Sequence, residues 1–159
     1  MSIVLPAGLI LRPAQRQDLG AIRWLVLGAK LDPTQLRWSQ FWVIDQAGQV
    51  IACGQLRSFT AAQELGSLVV ARQWRGQGLG TALTHHLIQQ ATEPLYLECL
   101  GSNLAQFYRR LGFQSVTWQE LPRSLQIKFG LSAFAKRFGF PMFLMHYNPG
   151  QHSAANHTE

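Results

Sequence analysis

The sequence predicts an α/β fold with a mixed central sheet, and three stretches carry that prediction. Phe41-Trp42-Val43-Ile44 and the run from Gln49 to Leu56 flank Gln46-Ala47-Gly48, the pattern of a hairpin. The apolar run Leu68-Val69-Val70 then ends in a glycine-rich turn, and Leu79, Leu83, Leu87, Ile88 and Ala91 follow at helical spacing. A second apolar run, Leu95-Tyr96-Leu97-Glu98-Cys99-Leu100, leads into Leu104, Phe107, Tyr108 and Leu111, again at helical spacing and closed by Gly112. Two strand–helix units after a hairpin place parallel strands in the middle of the sheet.

The remaining elements follow in order. Leu9-Ile10-Leu11-Arg12 is a first strand ending at Pro13. From Gln15 to Ala29, Leu19, Ile22 and Trp24-Leu25-Val26 recur at helical spacing. Asp32-Pro33-Thr34 has the capping residue and first-turn proline of a second short helix. Glu64 to Val70 is the strand leading into the glycine turn, and Glu93-Pro94 ends the helix after it. Gln114–Trp118 and Met142–Tyr147 are late strands. Between them, Ile127, Leu131, Phe134 and Phe138 recur near helical spacing, interrupted by Gly130 and Gly139. That segment, Pro122 to Pro141, reads as a helix over the sheet edge, a lid on a pocket, or a contact in a homodimer. Residues 1–147 are expected to form one domain, with a polar, disordered tail over 148–159.

Composition narrows the function. A chain of 159 residues can bury a substantial core. No apolar run approaches the ~18 residues of a membrane span, and Met1–Pro6 lacks the basic region of a secretory signal. Cys53 and Cys99 lie apart within strand-like runs, the placement of buried thiols in a reducing compartment, so cytoplasm is expected. The net charge of +6 suits an anionic partner. Nucleic acid is not expected, because no basic block is interleaved with aromatics; Arg109-Arg110 and Lys136-Arg137 are isolated pairs. No metal is expected either: adjacent helical residues such as His85 and His86 point about 100° apart, and His152 and His157 belong to the tail.

The chemistry is concentrated in Arg75-Gly76-Gln77-Gly78-Leu79-Gly80. Glycines let a backbone approach a ligand closely, and the helix they open offers unpaired N–H groups and a positive dipole end to a phosphate. Arg75 adds a cation. No lysine follows Gly80, which excludes a P-loop, and the sixth position from Gly76 is Thr81 rather than the glycine of a dinucleotide fingerprint. A glycine turn without a ligand is the plainer alternative. The loop resembles the Arg/Gln-x-x-Gly-x-Gly/Ala acyl-CoA loop of the GNAT N-acetyltransferase superfamily. Phe107-Tyr108-Arg109-Arg110-Leu111-Gly112-Phe113 resembles the Phe-Tyr-x-x-x-Gly-Phe signature of that superfamily's later coenzyme-contacting helix. Glu64-Leu65-Gly66-Ser67-Leu68-Val69-Val70 is similar to bacterial acetyltransferases near the N-acetylglutamate synthase type.

The resemblance covers Leu9 to Tyr147 and implies a mostly antiparallel central sheet with parallel central strands, helices on both faces, acetyl-CoA as co-substrate and an amine as acceptor. It implies coenzyme contacts from Leu68, Val69, Val70, Arg75, Gly76, Gln77, Gly78, Leu79, Gly80, Thr81 and Asn103, with a main-chain amide of Leu68–Val70 facing the thioester oxygen. It puts Tyr108 in the role of acid toward the departing thiolate, although a tyrosine on an apolar helix face often only packs. For the base, Glu98 stands alone among apolar residues of its strand, with Glu64 or a water chain as competitors. One departure stands out. Relatives carry an asparagine seven residues before the tyrosine, whereas Asn103 is five before Tyr108 and Gly101 occupies the seventh position. That departure leaves room for a non-catalytic acyl-CoA-binding module, and the positive charge leaves room for a nucleic-acid binder; both are rival readings.

Overall fold

The structure is a computed structural model and describes residues 4–135 and 141–148, with side chains through Gly130 and from Pro141 onward. The chain is a mixed α/β fold whose seven strands follow the order β1-β2-β3-β4-β5-β7-β6. It divides into two compact units, one of Met1–Arg57 with Leu65–Ala91 and the other of Ser58–Glu64 with Thr92–Glu159.

In the first unit β1 (Leu9–Pro13) lies antiparallel to β2 (Phe41–Gln46), with Leu9 opposite Gln46 and Pro13 opposite Trp42. β2 turns back into β3 (Gln49–Phe59) through Ala47 and Gly48, both at positive φ (48° and 87°). That is the hand a two-residue hairpin requires, and Asp45 Oδ1 accepts a 2.7 Å hydrogen bond from the Gly48 N–H. β4 (Ala62–Val70) is a single strand that runs through both units.

Strand alternation sends successive side chains to opposite faces, and two helices cover them. α1 (Leu19–Gly28) buries Ile22 and Val26 against Phe41, Val43, Cys53 and Val69. α2 (Leu79–Gln90) takes the other face, with His86 edge-on to Trp42 at 4.1 Å and Leu83 and Leu87 over Gly54. A Cβ at Gly54 would stand 2.7 Å from Leu87 Cδ1, so glycine there sets how closely α2 approaches β3. Arg12 ties three segments together. Its guanidinium bonds Asp18 Oδ2 and Asp45 Oδ2, each at 2.7 Å, and Asp18 also accepts from the Gln15 N–H.

In the second unit the start of β4 pairs in parallel with β5 (Leu95–Leu100), Gln63 opposite Leu95 and Glu64 opposite Tyr96. β5 is antiparallel to β7 (Met142–Tyr147), which is antiparallel to β6 (Phe113–Ser115). α3 (Ser102–Arg110) follows β5 after the single residue Gly101. α4 (Arg123–Ala135) buries Leu125 and Phe129 against Ala62, Tyr96 and Leu121.

Several expectations shift. Asp32 caps no helix; its carboxylate accepts from both the backbone N–H and the hydroxyl of Thr34, and that local turn takes the place of a helical start. Only a 3-10 turn, Trp38–Gln40, forms before β2. On α3 the expected stripe holds at Tyr108, which is buried, and at the half-buried Phe107 and Leu111, whereas Leu104 is 42% exposed and Ala105 takes the inward place beside it. On α4, Ile127 points outward, and the helix continues through Gly130, which lies against Trp118. The strand expected over Gln114–Trp118 is the shorter β6, displaced by a 3-10 turn at Trp118–Glu120. Phe138, Gly139 and the tail from residue 149 lie outside the described residues, as do the side chains of Leu131 and Phe134. No helix among the described residues is long and apolar enough to cross a membrane.

Candidate functional site

The glycine loop has the conformation its sequence requires. β4 ends at Val70, a 3-10 turn spans Arg72–Trp74, and Gly76 and Gly78 follow at φ of 75° and 79°. Left-handed backbone at two nearby positions is what glycine supplies cheaply. A Cβ on either residue would meet nothing within 4 Å, so packing does not demand glycine there; the space in front of the loop is open. Gly78 is the N-cap of α2, with no side-chain cap and no acidic residue in the first turn. The first amides of α2 and its positive dipole end are therefore left for a ligand. Leu79 is buried and anchors the helix, while Thr81 is half-buried and Arg75, Gln77 and Gly78 are exposed. Arg75 donates from Nε to the Val70 carbonyl at 3.1 Å, which holds its guanidinium beside the end of β4.

Upstream on β4, Val69 is buried and Leu68 and Val70 are half-buried. Ser67, at φ 50°, is a non-glycine residue in the left-handed region inside a strand, the kind of local strain that collects at functional sites. It sits in a polar network that sequence reasoning missed. Arg57 Nη2 donates to Ser67 Oγ at 3.1 Å, and Gln55 donates to the Gln35 carbonyl at 2.7 Å and to Gln40 Oε1 at 2.9 Å. Gly66 makes room for the Arg57 guanidinium, which a Cβ would strike. The available signal was two polar residues, Gln55 and Arg57, at alternate positions of an otherwise apolar strand.

A cavity of about 660 Å³ opens on the α1 side of the first unit. Trp24 and Leu25 of α1, Val50 of β3, Val69 of β4, and Arg72 and Arg75 of the loop line it. Its floor and the phosphate-type loop therefore share the backbone from Val69 to Arg75.

The expected catalytic side chains lie in the second unit. Tyr108 is buried, edge-on to Phe113 at 5.5 Å, and burial, followed by the neighbouring Cys99, raises its hydroxyl well above the ordinary tyrosine range. It therefore holds its proton at neutral pH. Glu98 is half-buried on β5 opposite Leu144. Tyr108 neighbours Cys99, and alternation sends the Glu98 side chain to the other face of β5. Asn103 is exposed in the first turn of α3. Five helical residues separate it from Tyr108, which turns the two side chains about 140° apart. Glu64 is buried and ion-paired with Lys128 of α4, so one of its carboxylate oxygens is already engaged. Both cysteines are buried free thiols; burial pushes Cys53 up to about 12 and Cys99 up to about 11. No group of three or more His, Cys, Asp or Glu able to hold a metal occurs among the described residues.

Comparison with known proteins bears on the fold. Residues 37–115 match the model of the acetyltransferase (GNAT) domain. An amino-acid acetyltransferase of Neisseria meningitidis is 29% identical over 90 residues, which are 54% of this chain and 21% of the relative. The chain thus spans about a fifth of the length of that relative. Among solved structures, N-acetylglutamate synthase from Neisseria gonorrhoeae, complexed with coenzyme A and L-arginine, superposes with a TM-score of 0.69 at 21% identity, over 90% of this chain and 34% of that one. Rv2747 from Mycobacterium tuberculosis, in complex with CoA and NLQ, gives 0.69 at 20% identity, over 87% of this chain and 98% of that one. These structures share the fold. Within this chain, residues 37–115 are similar to the GNAT acetyltransferase domain, and the fold is the one these structures share.

Proposed function

We propose that the chain is an acetyl-CoA-dependent N-acetyltransferase that acetylates a primary amine of a small metabolite or a protein by direct attack in a ternary complex. The observation that carries this reading is the loop itself: two left-handed glycines, an uncapped α2 N-terminus and a latched Arg75 around open space. That arrangement suits the pyrophosphate of acetyl-CoA. Relatives with the same fold were solved with coenzyme A. A cytoplasmic setting goes with two buried thiols that are not joined.

The chemistry follows from charge. The amine must shed a proton before it attacks, since a lysine-like amine has a pKa of roughly 10.4. Glu98 is the proposed proton acceptor, with Glu64, which is ion-paired with Lys128, or a water chain as competitors. As the N–C bond forms, negative charge on the thioester oxygen is met by a main-chain amide of Leu68–Val70; one such donor is worth roughly 10²–10³ in rate. The C–S bond then breaks, and the Tyr108 hydroxyl is the proposed acid toward the thiolate; since burial raises its pKa, it serves as a hydrogen-bond donor, and solvent completes the protonation. Neither cysteine is a nucleophile, because both thiols are buried and held protonated; an acyl-enzyme route is thereby disfavoured.

Calorimetric titration with acetyl-CoA tests the coenzyme site, with Gly78→Glu as control. Saturable binding is expected in the parent and a loss of at least about 100-fold in the variant, which adds an anion and a Cβ at positive φ. A thiol-release assay across an amine panel tests turnover, with Tyr108→Phe and Glu98→Gln each expected to lower kcat by roughly 10²-fold. Full turnover in both variants refutes their roles. Binding without turnover on any amine favours an acyl-CoA-binding regulatory module. No coenzyme binding by folded protein, together with salt-sensitive binding to nucleic acid, favours the charge-driven rival.

A further inference from the structure

The α1-side cavity narrows the acceptor, an inference that rests on the acetyltransferase reading above. At about 660 Å³ the cavity has the capacity of a small-molecule site. Trp24, which is 79% exposed, and the half-buried Leu25 line it from α1, while Val50 and Val69 are packed in the core beneath. A large indole left in water beside a cavity gains from a flat or bulky apolar group laid against it. None of the lining residues is acidic, and two are arginines. Nothing there receives a second ammonium, and both cations repel a polyamine or a lysine-rich peptide. Arg75 donates to the Val70 carbonyl at the pyrophosphate loop, and Arg72, exposed and also lining the cavity, is the second arginine available to an acceptor there. Its planar fork matches a carboxylate. The backbone of Val69 and Val70, proposed to polarise the thioester, also lines the cavity, so an occupant lies beside the reacting carbon.

We infer that the acceptor is an amine bearing one carboxylate and an apolar body, of the class of aromatic or large aliphatic amino acids, with its carboxylate on Arg72 and its body against Trp24. The transfer balances without another reactant. The amine nitrogen bonds to the acetyl carbon as the C–S bond breaks, the amine proton leaves to the base, and the thiolate takes a proton. Trp24 and Arg72 are then specificity-determining residues.

The test measures thiol release from acetyl-CoA with L-phenylalanine, L-phenylalaninamide, L-glutamate and spermidine. L-Phenylalanine is expected to exceed each of the others in kcat/KM by at least about tenfold. Trp24→Ala and Arg72→Gln are each expected to raise its KM about tenfold or more with kcat within about threefold. Arg72→Gln alone is expected to erase the preference for the acid over the amide, a change that a merely structural role would not produce. A preference for spermidine or L-glutamate, or unchanged KM in both variants, overturns the inference while leaving the acetyltransferase reading standing. Should no amine turn over, titration with N-acetyl-L-phenylalanine decides separately. Binding weakened by both substitutions upholds the cavity assignment and overturns only the activity; no binding overturns the cavity assignment.

Discussion

Arg12 and Arg72 are the same residue in opposite circumstances. Arg12 is gripped by Asp18 and Asp45, both nearly buried, and its proton is held far above any accessible pH. Arg72 is exposed at the rim of a cavity whose lining holds no acid. A guanidinium satisfied by two carboxylates has no charge left to offer a ligand. One that faces an acid-free cavity has all of it. The proposed ligand contacts in this unit fall on exposed arginines, and the buried, paired one serves stability.

The comparison breaks most visibly at Asp18. Asp18→Ala strips one of two carboxylates from a half-buried cation and is expected to cost on the order of 1–2 kcal/mol in chemical denaturation. Acetyl-CoA affinity per folded molecule should be unchanged. Arg12 lowers the pKa of Asp18 by hydrogen bonding, so this stabilisation is full above the unfolded carboxylate range and is lost as pH falls through the lowered value. Arg75→Ala tests the intermediate case: about tenfold weaker acetyl-CoA binding by calorimetry, with a flatter salt dependence and Tm nearly unchanged. His86 and His146 are both shifted down by burial. The unfolded chain takes up their protons first, so stability holds above about pH 6.5 and declines as pH falls toward the folded values. Replacing both histidines with glutamine should flatten that part of the Tm–pH curve. Smallest of all, Arg72→Gln should move stability by less than about 0.5 kcal/mol, in contrast to its expected effect on the acceptor KM.

The glycine loop was legible because its constraint is local. Left-handed backbone at Gly76 and Gly78 and an uncapped helix start follow from the residues themselves. The hairpin at Gly48, the buried stripe of α2 at Leu79, Leu83 and Leu87, and β5 came through for the same reason: short-range period and turn chemistry decided them. Where local signals competed, the reading slipped. Asp32 makes with the Thr34 N–H the same bond a helix cap would make, yet the chain after it forms only a turn, because a cap signal does not by itself supply the helix it would cap. On α3 the apolar pattern marked Phe107, Tyr108 and Leu111 correctly but also Leu104, whereas burial at that end fell on Ala105, because packing chose between the two neighbours. Small Ala105 carries almost no signal in a hydrophobicity count.

The sequence by itself determined the loop, the hairpin and the two strand–helix units that follow it, and the residue types available for acetyl transfer. These depend on φ preferences, turn chemistry and periodicities that act over a few residues. Tertiary structure alone decided which charges are spent and which remain. Arg12 meets Asp45 across 33 residues, and Lys128 meets Glu64 across 64. It also decided that Trp24 and Arg72 share one cavity, since α1, the start of β3 and the end of β4 converge only when the sheet has formed. Electrostatic and packing energies depend on distance in space, and no local pattern encodes those distances.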